Sequence, residues 1–402
     1  MSSRLAITAS ILSLAWSAAL VQPALGDATS PTEQTGATDV KGLIAQLGNA
    51  KFAIRKSAGE KLAKIGLPAY QALEEATRDG DREIRYRAEK VLSVIRQNDL
   101  NRRLTIFLAS LDSPEDRSLP SWPRFKAAHG NTSVTRNLFV EMQRAEGELL
   151  AQLDADPRQA TDLLGKRAMA LSQEQNRLNR EGVSLPLGQI AAVFFVASEP
   201  DIKPSTNTVA LLLQLGTQPS LRAATVAVDA SDKPTKEKSV ITRKLLGSVI
   251  ARAEDSALMQ AVQLAMNYDL KAGLGPALKL LDSPPRVRFY TQYALALVAR
   301  FGDDSHLAVL EKFFTDNTLL STTSSRGVRK EVQVRDSALA AAVFLTKQGL
   351  KDYFDLPDNL PQGAGPLSNS ALNIGFENDV QRTAAFAKWG VFKAKKPADP
   401  QK

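Results

Sequence analysis

Apolar residues near the start of the chain recur at helical spacing, and the pattern repeats after thirty positions. Leu43 matches Leu73, Ile54-Arg55 matches Ile84-Arg85, Ala58 matches Ala88, Leu62 matches Leu92, and Ile65 matches Ile95. The matched positions of each second segment fall on one face of a helix. The pattern predicts a short helix over Val40–Leu47 with its partner over Phe52–Ile65, then Leu67–Thr77 with Arg82–Gln97. Gly66 closes one helix, Pro68 suits the first turn of the next, and Arg78-Asp79-Gly80-Asp81 makes a turn. Each pair can bury its apolar face only by stacking on a neighbour.

The pattern returns late in the chain. Val334-Arg335, Ala338, Ala342 and Leu345 reproduce the spacing of the second helices, and Phe289–Phe301 carries a weaker copy with Ala294, Val298 and Phe301. His306–Phe314 follows as a further helix. Between the two regions, helices are expected at Thr135–Gln152, Ala160–Glu181, Leu187–Val196, Thr208–Leu215, Ser239–Ala253, Ser256–Asn267 and Leu274–Leu281. Loops are expected at Ser110–Ser121, Pro200–Pro204, Asp229–Lys238 and Gly349–Phe376, which are rich in Pro, Gly and polar residues. Leu319–Thr323 and Val328–Val334, around Ser324-Ser325-Arg326-Gly327, read as a β-hairpin or an ordered loop. Val380–Trp389 reads as a closing helix.

The first 26 residues have the form of a secretory leader. Arg4 precedes the apolar run Leu5–Leu20, and Ala24-Leu25-Gly26 supplies small residues before Asp27. The alternative is an uncleaved anchor. The resulting organisation is a signal peptide over 1–26, a flexible lead-in over 27–38 and N-terminal repeats over 39–110. An irregular helical middle region over 111–285 follows, then a C-terminal repeat region over 286–392 and a disordered basic tail over 393–402.

Composition narrows the chemistry. The chain has no Cys, which excludes thiol catalysis, disulfides and Cys-ligated metals, and its two His residues leave no paired-His motif. Aromatics make up 6%, so packing rests on small and branched aliphatic residues. The net charge of +8 is mild for 402 residues and reads as a mixed solvated surface, with affinity for an anionic polymer as the alternative.

The thirty-residue period and the small-residue second helices, with Arg after an aliphatic residue, resemble HEAT repeats. A wider resemblance is carried by the leader, the repeats, Trp122…Phe125…Gly130, Leu138-Phe139-Val140-Glu141-Met142, Leu187–Ala197, Val332–Ala340, Asp352-Tyr353-Phe354, Gly375-Phe376 and Trp389. Over most of the chain these motifs resemble a group of secreted bacterial HEAT-repeat proteins of unassigned function. Tyr353-Phe354 departs from the group in lacking a Gly between the aromatic pair. The resemblance implies an extracytoplasmic (periplasmic or secreted) α-helical scaffold and no reaction. The fold class expected is therefore all-α: a HEAT-like α-solenoid of superhelical helix pairs, with an irregular helical middle and a small β-hairpin insertion.

Five residues stand out as candidate partner contacts: Arg55, Arg85, Trp122, Phe125 and Arg335. The three arginines share one helix position and can form an anion-binding ladder or brace neighbouring acids with their stems over apolar surface. Trp122 and Phe125 can anchor a partner or pin the chain onto its own core. Asp79 and Asp81 lack the further oxygen ligands of a calcium loop and read as a solvated turn. Gly273, Gly275 and Pro276 follow no strand and read as a turn. Leu187–Val196 reads as core. His129 near Ser133 forms no triad signature, and His306 after Asp303-Asp304 reads as a capped helix start. No catalytic, cofactor or metal residues emerge. The leading expectation is a non-enzymatic scaffold of the cell envelope that binds a protein or peptide. The alternatives are a salt-sensitive adaptor for anionic polysaccharide or nucleic acid and, third, an enzyme whose cleft lies between the repeats and the middle helices.

Overall fold

The computed structural model describes residues 36–112, 116, 118–226, 231–283, 288–325, 328–356 and 374–395. The leader over 1–26 and most of the lead-in lie outside these residues, as do 396–402 of the tail. The described chain is mostly helical, and its strands form one two-stranded sheet. Its contacts divide it into two compact units, one up to Asn101 and one from Arg102.

The first unit contains α1 (Gly36–Gln46), α2 (Phe52–Ile65), α3 (Tyr70–Ala76) and the start of α4 (Arg82–Ala109). Helix α1 takes in the last residues of the expected lead-in, Gly36–Ala37–Thr38. Gly66 ends α2 with φ +76°, and its N–H bonds the carbonyl of Leu62, 3.1 Å away. Positive φ costs glycine little, which is why the helix stops there. Pro68 lies in the 3-10 turn Leu67–Ala69 that leads into α3. The repeated positions Leu43, Leu73, Ala58, Ala88, Leu62, Leu92 and Ile95 are all buried, and Ile65 packs against them partly covered. Each buried Leu or Ile contributes about 1.5–3 kcal/mol of transfer free energy.

Helix α4 runs twelve residues beyond the expected end at Gln97. Its apolar spacing continues through Leu104 and Phe107, which are buried in the second unit. A helix not foreseen follows, α5 (Trp122–His129), with Pro123 in its first turn. Then come α6 (Ser133–Ala155), α7 (Pro157–Arg180), α8 (Leu187–Ser198), α9 (Thr206–Leu215) and α10 (Pro219–Val226). They are followed by α11 (Lys233–Ala251), α12 (Leu258–Tyr268), α13 (Leu274–Asp282), α14 (Arg288–Phe301) and α15 (Leu307–Glu311). Side chains of Thr132, Asp156, Ser205 and Asp232 cap four of these helices by accepting backbone N–H bonds. The cap at Asp232, with Pro234 in the first turn, starts α11 inside the stretch expected to be a loop.

Helix α8 is buried along nearly its whole length, as expected of core, and packs against α6 and α11. It approaches α6 closely at Gly188: a Cβ there would lie 2.6 Å from the backbone carbonyl of Glu141. Helix α6 kinks at Glu146 (φ −138°, ψ 36°), whose buried carboxylate receives both Nε and Nη2 of Arg167 on α7 at 2.8 and 2.5 Å. The hairpin forms as β1 (Leu319–Ser325) paired antiparallel with β2 (Val328–Gln333). It is followed directly by α16 (Val334–Leu345), and the closing helix is α17 (Asp379–Lys395). Helix α17 takes in Lys393–Ala394–Lys395, the start of the expected disordered tail. Asp336 on α16 is fully buried and held by Arg382 of α17 at 2.9 Å. Burial pushes the Asp336 carboxyl up, and the Arg382 guanidinium opposes that shift. Of the expected loop Gly349–Phe376, residues 357–373 lie outside the description; Phe376 pairs by a β-bridge with Glu331. No helix among the described residues is long and apolar enough to cross a membrane.

Candidate interaction surface

The arginines singled out by the repeat have clear local partners. Arg55 Nη1 donates to the carbonyls of Asn49 and Ala50 at 2.7 and 2.8 Å. Arg85 Nη1 donates to those of Asp79 and Gly80 at 2.6 and 3.0 Å. Even the turn bonds correspond. Asn49 accepts the N–H of Lys51 at 2.9 Å, and Asp79 accepts that of Asp81 at 2.8 Å. One corner is thus built twice, thirty residues apart, each locked by a guanidinium reaching back from the following helix. Asp79 and Asp81 use their carboxylates on backbone N–H groups. Arg335 differs: its Nε donates to Gln333 at 2.6 Å, and its Nη2 lies 3.5 Å from Asp379.

Trp122 and Phe125 offer no surface to a partner. Both are fully buried, in an aromatic cluster with Phe107, Phe139 and Phe195 at centroid distances of 4.8–5.4 Å. They pin α5 onto the core of the second unit. Arg136, also buried, lies with its guanidinium 4.2 Å from the Phe107 ring centre and 5.1 Å from that of Trp122, and forms a two-oxygen ion pair with Asp116 at 2.7 Å. Beside them, burial and the Lys244 ammonium push the His129 imidazole down to about 4, so it is neutral at pH 7.

Concavities open in both units. The larger, about 550 Å³, lies in the second unit and is bordered by Thr132, Arg136 and Glu237 among others. Its polar groups bond one another: Thr132 donates to Glu237, and Arg136 is committed to Asp116, Asn131 and the Phe107 carbonyl. The smaller, about 280 Å³, lies between α2 and α4. Its volume falls just below the ~300–1,000 Å³ of small-molecule sites. It is a furrow with an apolar floor of Leu47, Gly59, Ala63, Val91 and Val94, and with Arg55, Lys56, Arg87 and Lys90 on its walls.

Helical spacing builds this furrow. Positions 52, 55, 56, 59, 60 and 63 share one face of α2, and 87, 90, 91 and 94 share one face of α4. Gly59 sits opposite Val91 across the helix contact. Phe52 is 62% exposed, and the guanidiniums of Arg55 and Arg87 both lie 5.8 Å from its ring. Glu83 lies between the same two arginines, 3.2 Å from Arg55 and 2.7 Å from Arg87. Tyr86, 51% exposed, carries the Lys90 ammonium 4.5 Å from its ring centre. Sequence reasoning found Arg55 but missed Phe52, Tyr86, Arg87, Lys90 and Val94. For Phe52, Tyr86 and Val94 the signal was present as large apolar residues on the helix faces turned away from the repeat's core positions.

No family model, curated protein or solved structure matches the chain. The chemistry of the furrow therefore rests on its own residues. Among the described residues, no group of three His, Asp or Glu side chains is placed to hold a metal ion.

Proposed function

We propose that this chain is a non-enzymatic interaction protein, built on HEAT-like helix pairs, that binds a protein or peptide through the α2–α4 face of its first unit. The observation that carries this reading is the furrow. Its apolar floor includes the exposed Val94, its walls are of mixed charge, and the exposed rings of Phe52 and Tyr86 carry cations of those walls. Exposed aromatic and aliphatic groups framed by polar residues are the anatomy of protein contacts. The twice-built corner supports the HEAT-like reading, since a repeat stacks identical units through identical bonds. The leader-like start, with Arg4 before Leu5–Leu20, supports an extracytoplasmic place in the cell envelope.

The carboxylates of Glu60 and Glu83 interrupt the cations of the furrow, which weighs against a uniform polyanion track. The test is affinity capture from the source envelope fraction at low and high salt, with wild type and a Val94→Glu variant. A defined protein held at high salt by the wild type and lost by the variant is the expected result. Capture of polysaccharide or nucleic acid alone, released by salt, would replace this reading with that of an electrostatic adaptor.

A further inference from the structure

The furrow has more cation than counter-charge. Arg55, Lys56, Arg87 and Lys90 line it, against the carboxylates of Glu60 and Glu83. Glu83 is shared by two guanidiniums, its carboxylate lying 3.2 Å from Arg55 Nε and 2.7 Å from Arg87 Nε. Lys56 and Glu60 sit 3.8 Å apart with both side chains largely exposed, a pairing worth little in water. Lys90 rests on the Tyr86 ring, and no carboxylate among the described residues pairs with it. The floor between these cations is aliphatic and partly open to solvent, with Val94 46% exposed.

We propose that the furrow receives an acidic segment of a protein ligand whose aliphatic side chains recur at helical spacing, a proposal that rests on the interaction role given above. Carboxylates on such a segment would meet Lys56 and Lys90 on opposite walls. Its aliphatic residues would cover Ala63, Val91 and Val94, which themselves lie along two helix axes. A helix laid in a furrow matches this geometry because its side chains fall in strips of the same period. A polyanion without apolar groups leaves the floor wet, and a wholly apolar segment leaves the cations uncompensated. A second copy of the chain is disfavoured at this face, because its own basic walls would meet like charge.

The test is fluorescence anisotropy on the full chain with a labelled amphipathic peptide of Glu and Leu. Controls are its Lys-for-Glu counterpart, poly-glutamate and polyphosphate. Binding of the Glu–Leu peptide alone is expected, weakened about tenfold or more by Lys56→Glu with Lys90→Glu and by Val94→Glu. Circular dichroism should show unchanged helix content, because these side chains are exposed and brace no corner. Equal binding of poly-glutamate or polyphosphate would overturn the proposal by showing that the floor is unused. A second measurement separates the two levels of inference: photo-cross-linkers placed at Val94 and at exposed Val240 in the second unit, exposed to the envelope fraction. Capture at Val94 of a ligand without an acidic segment overturns the occupant and leaves the interaction role standing. Capture at Val240 alone overturns the face. Capture at neither, with no peptide bound, overturns both.

Discussion

Arg85 places one guanidinium nitrogen between two carbonyls, those of Asp79 and Gly80, and so closes the turn that α4 leaves. Replacing it with Ala frees both carbonyls and is expected to cost about 1–3 kcal/mol, read as a fall in the urea midpoint. Arg85→Lys should recover only part of this, because the ammonium sits on a shorter stem and is more strongly hydrated. His129 makes a prediction of the opposite kind, visible in pH rather than in a contact. Its imidazole ordinarily titrates near 6.5 and is held at about 4 in the folded chain. Between these values the unfolded chain binds the extra proton, so stability falls as pH drops from about 6.5 towards 4 and is unaffected by this group above that window. His129→Gln should remove that part of the loss. Urea midpoints measured at pH 7.5 and pH 5 check it: if wild type and variant fall in parallel, His129 is not the source.

Helices were legible where one face is apolar and the ends carry conventional signals. The Ala58/Ala88 and Leu62/Leu92 positions gave away the second helices because burial makes them intolerant of polar residues. Where the sequence misled, polar composition outweighed a cap: Asp232 turned an apparent loop into the first turn of α11. Helix α5 was missed because eight residues show barely two turns, and its purpose is set by distant partners such as Phe107 and Phe195. The crossing of α6 and α8 was equally invisible, since a glycine in a helix announces nothing about what lies opposite. Gly188→Ala should force α8 away from the Glu141 carbonyl and destabilise the second unit by about 1–3 kcal/mol. A thermal melt reads the effect, and an unchanged Tm would mean that the two helices slide apart at no cost.

At the scale of the molecule, the candidate surface was only half visible beforehand. The repeat drew attention to Arg55 and Arg85 as equivalent residues, and they are equivalent in their bonds to the preceding turn. The furrow, however, sets Arg55 beside Arg87, from a different position of the repeat. Such a surface depends on which helix faces come together across the α2–α4 contact, which a one-dimensional period does not state. The aromatic anchors proposed from sequence were real anchors, but of the chain to itself.

The doubled corner also bears on how a gene for such a chain can change length. If residues 51–80 were excised, Ala50 would join Asp81, and Arg85 would stand six and five residues beyond Asn49 and Ala50. Those are the carbonyls that Arg55 now holds. Ala88 and Leu92 would inherit the places of Ala58 and Leu62 against Leu43. Loss or gain of thirty codons at this point therefore leaves every local bond of the corner with a donor and an acceptor, so a lineage can drop or add one such corner without first inventing a new joint.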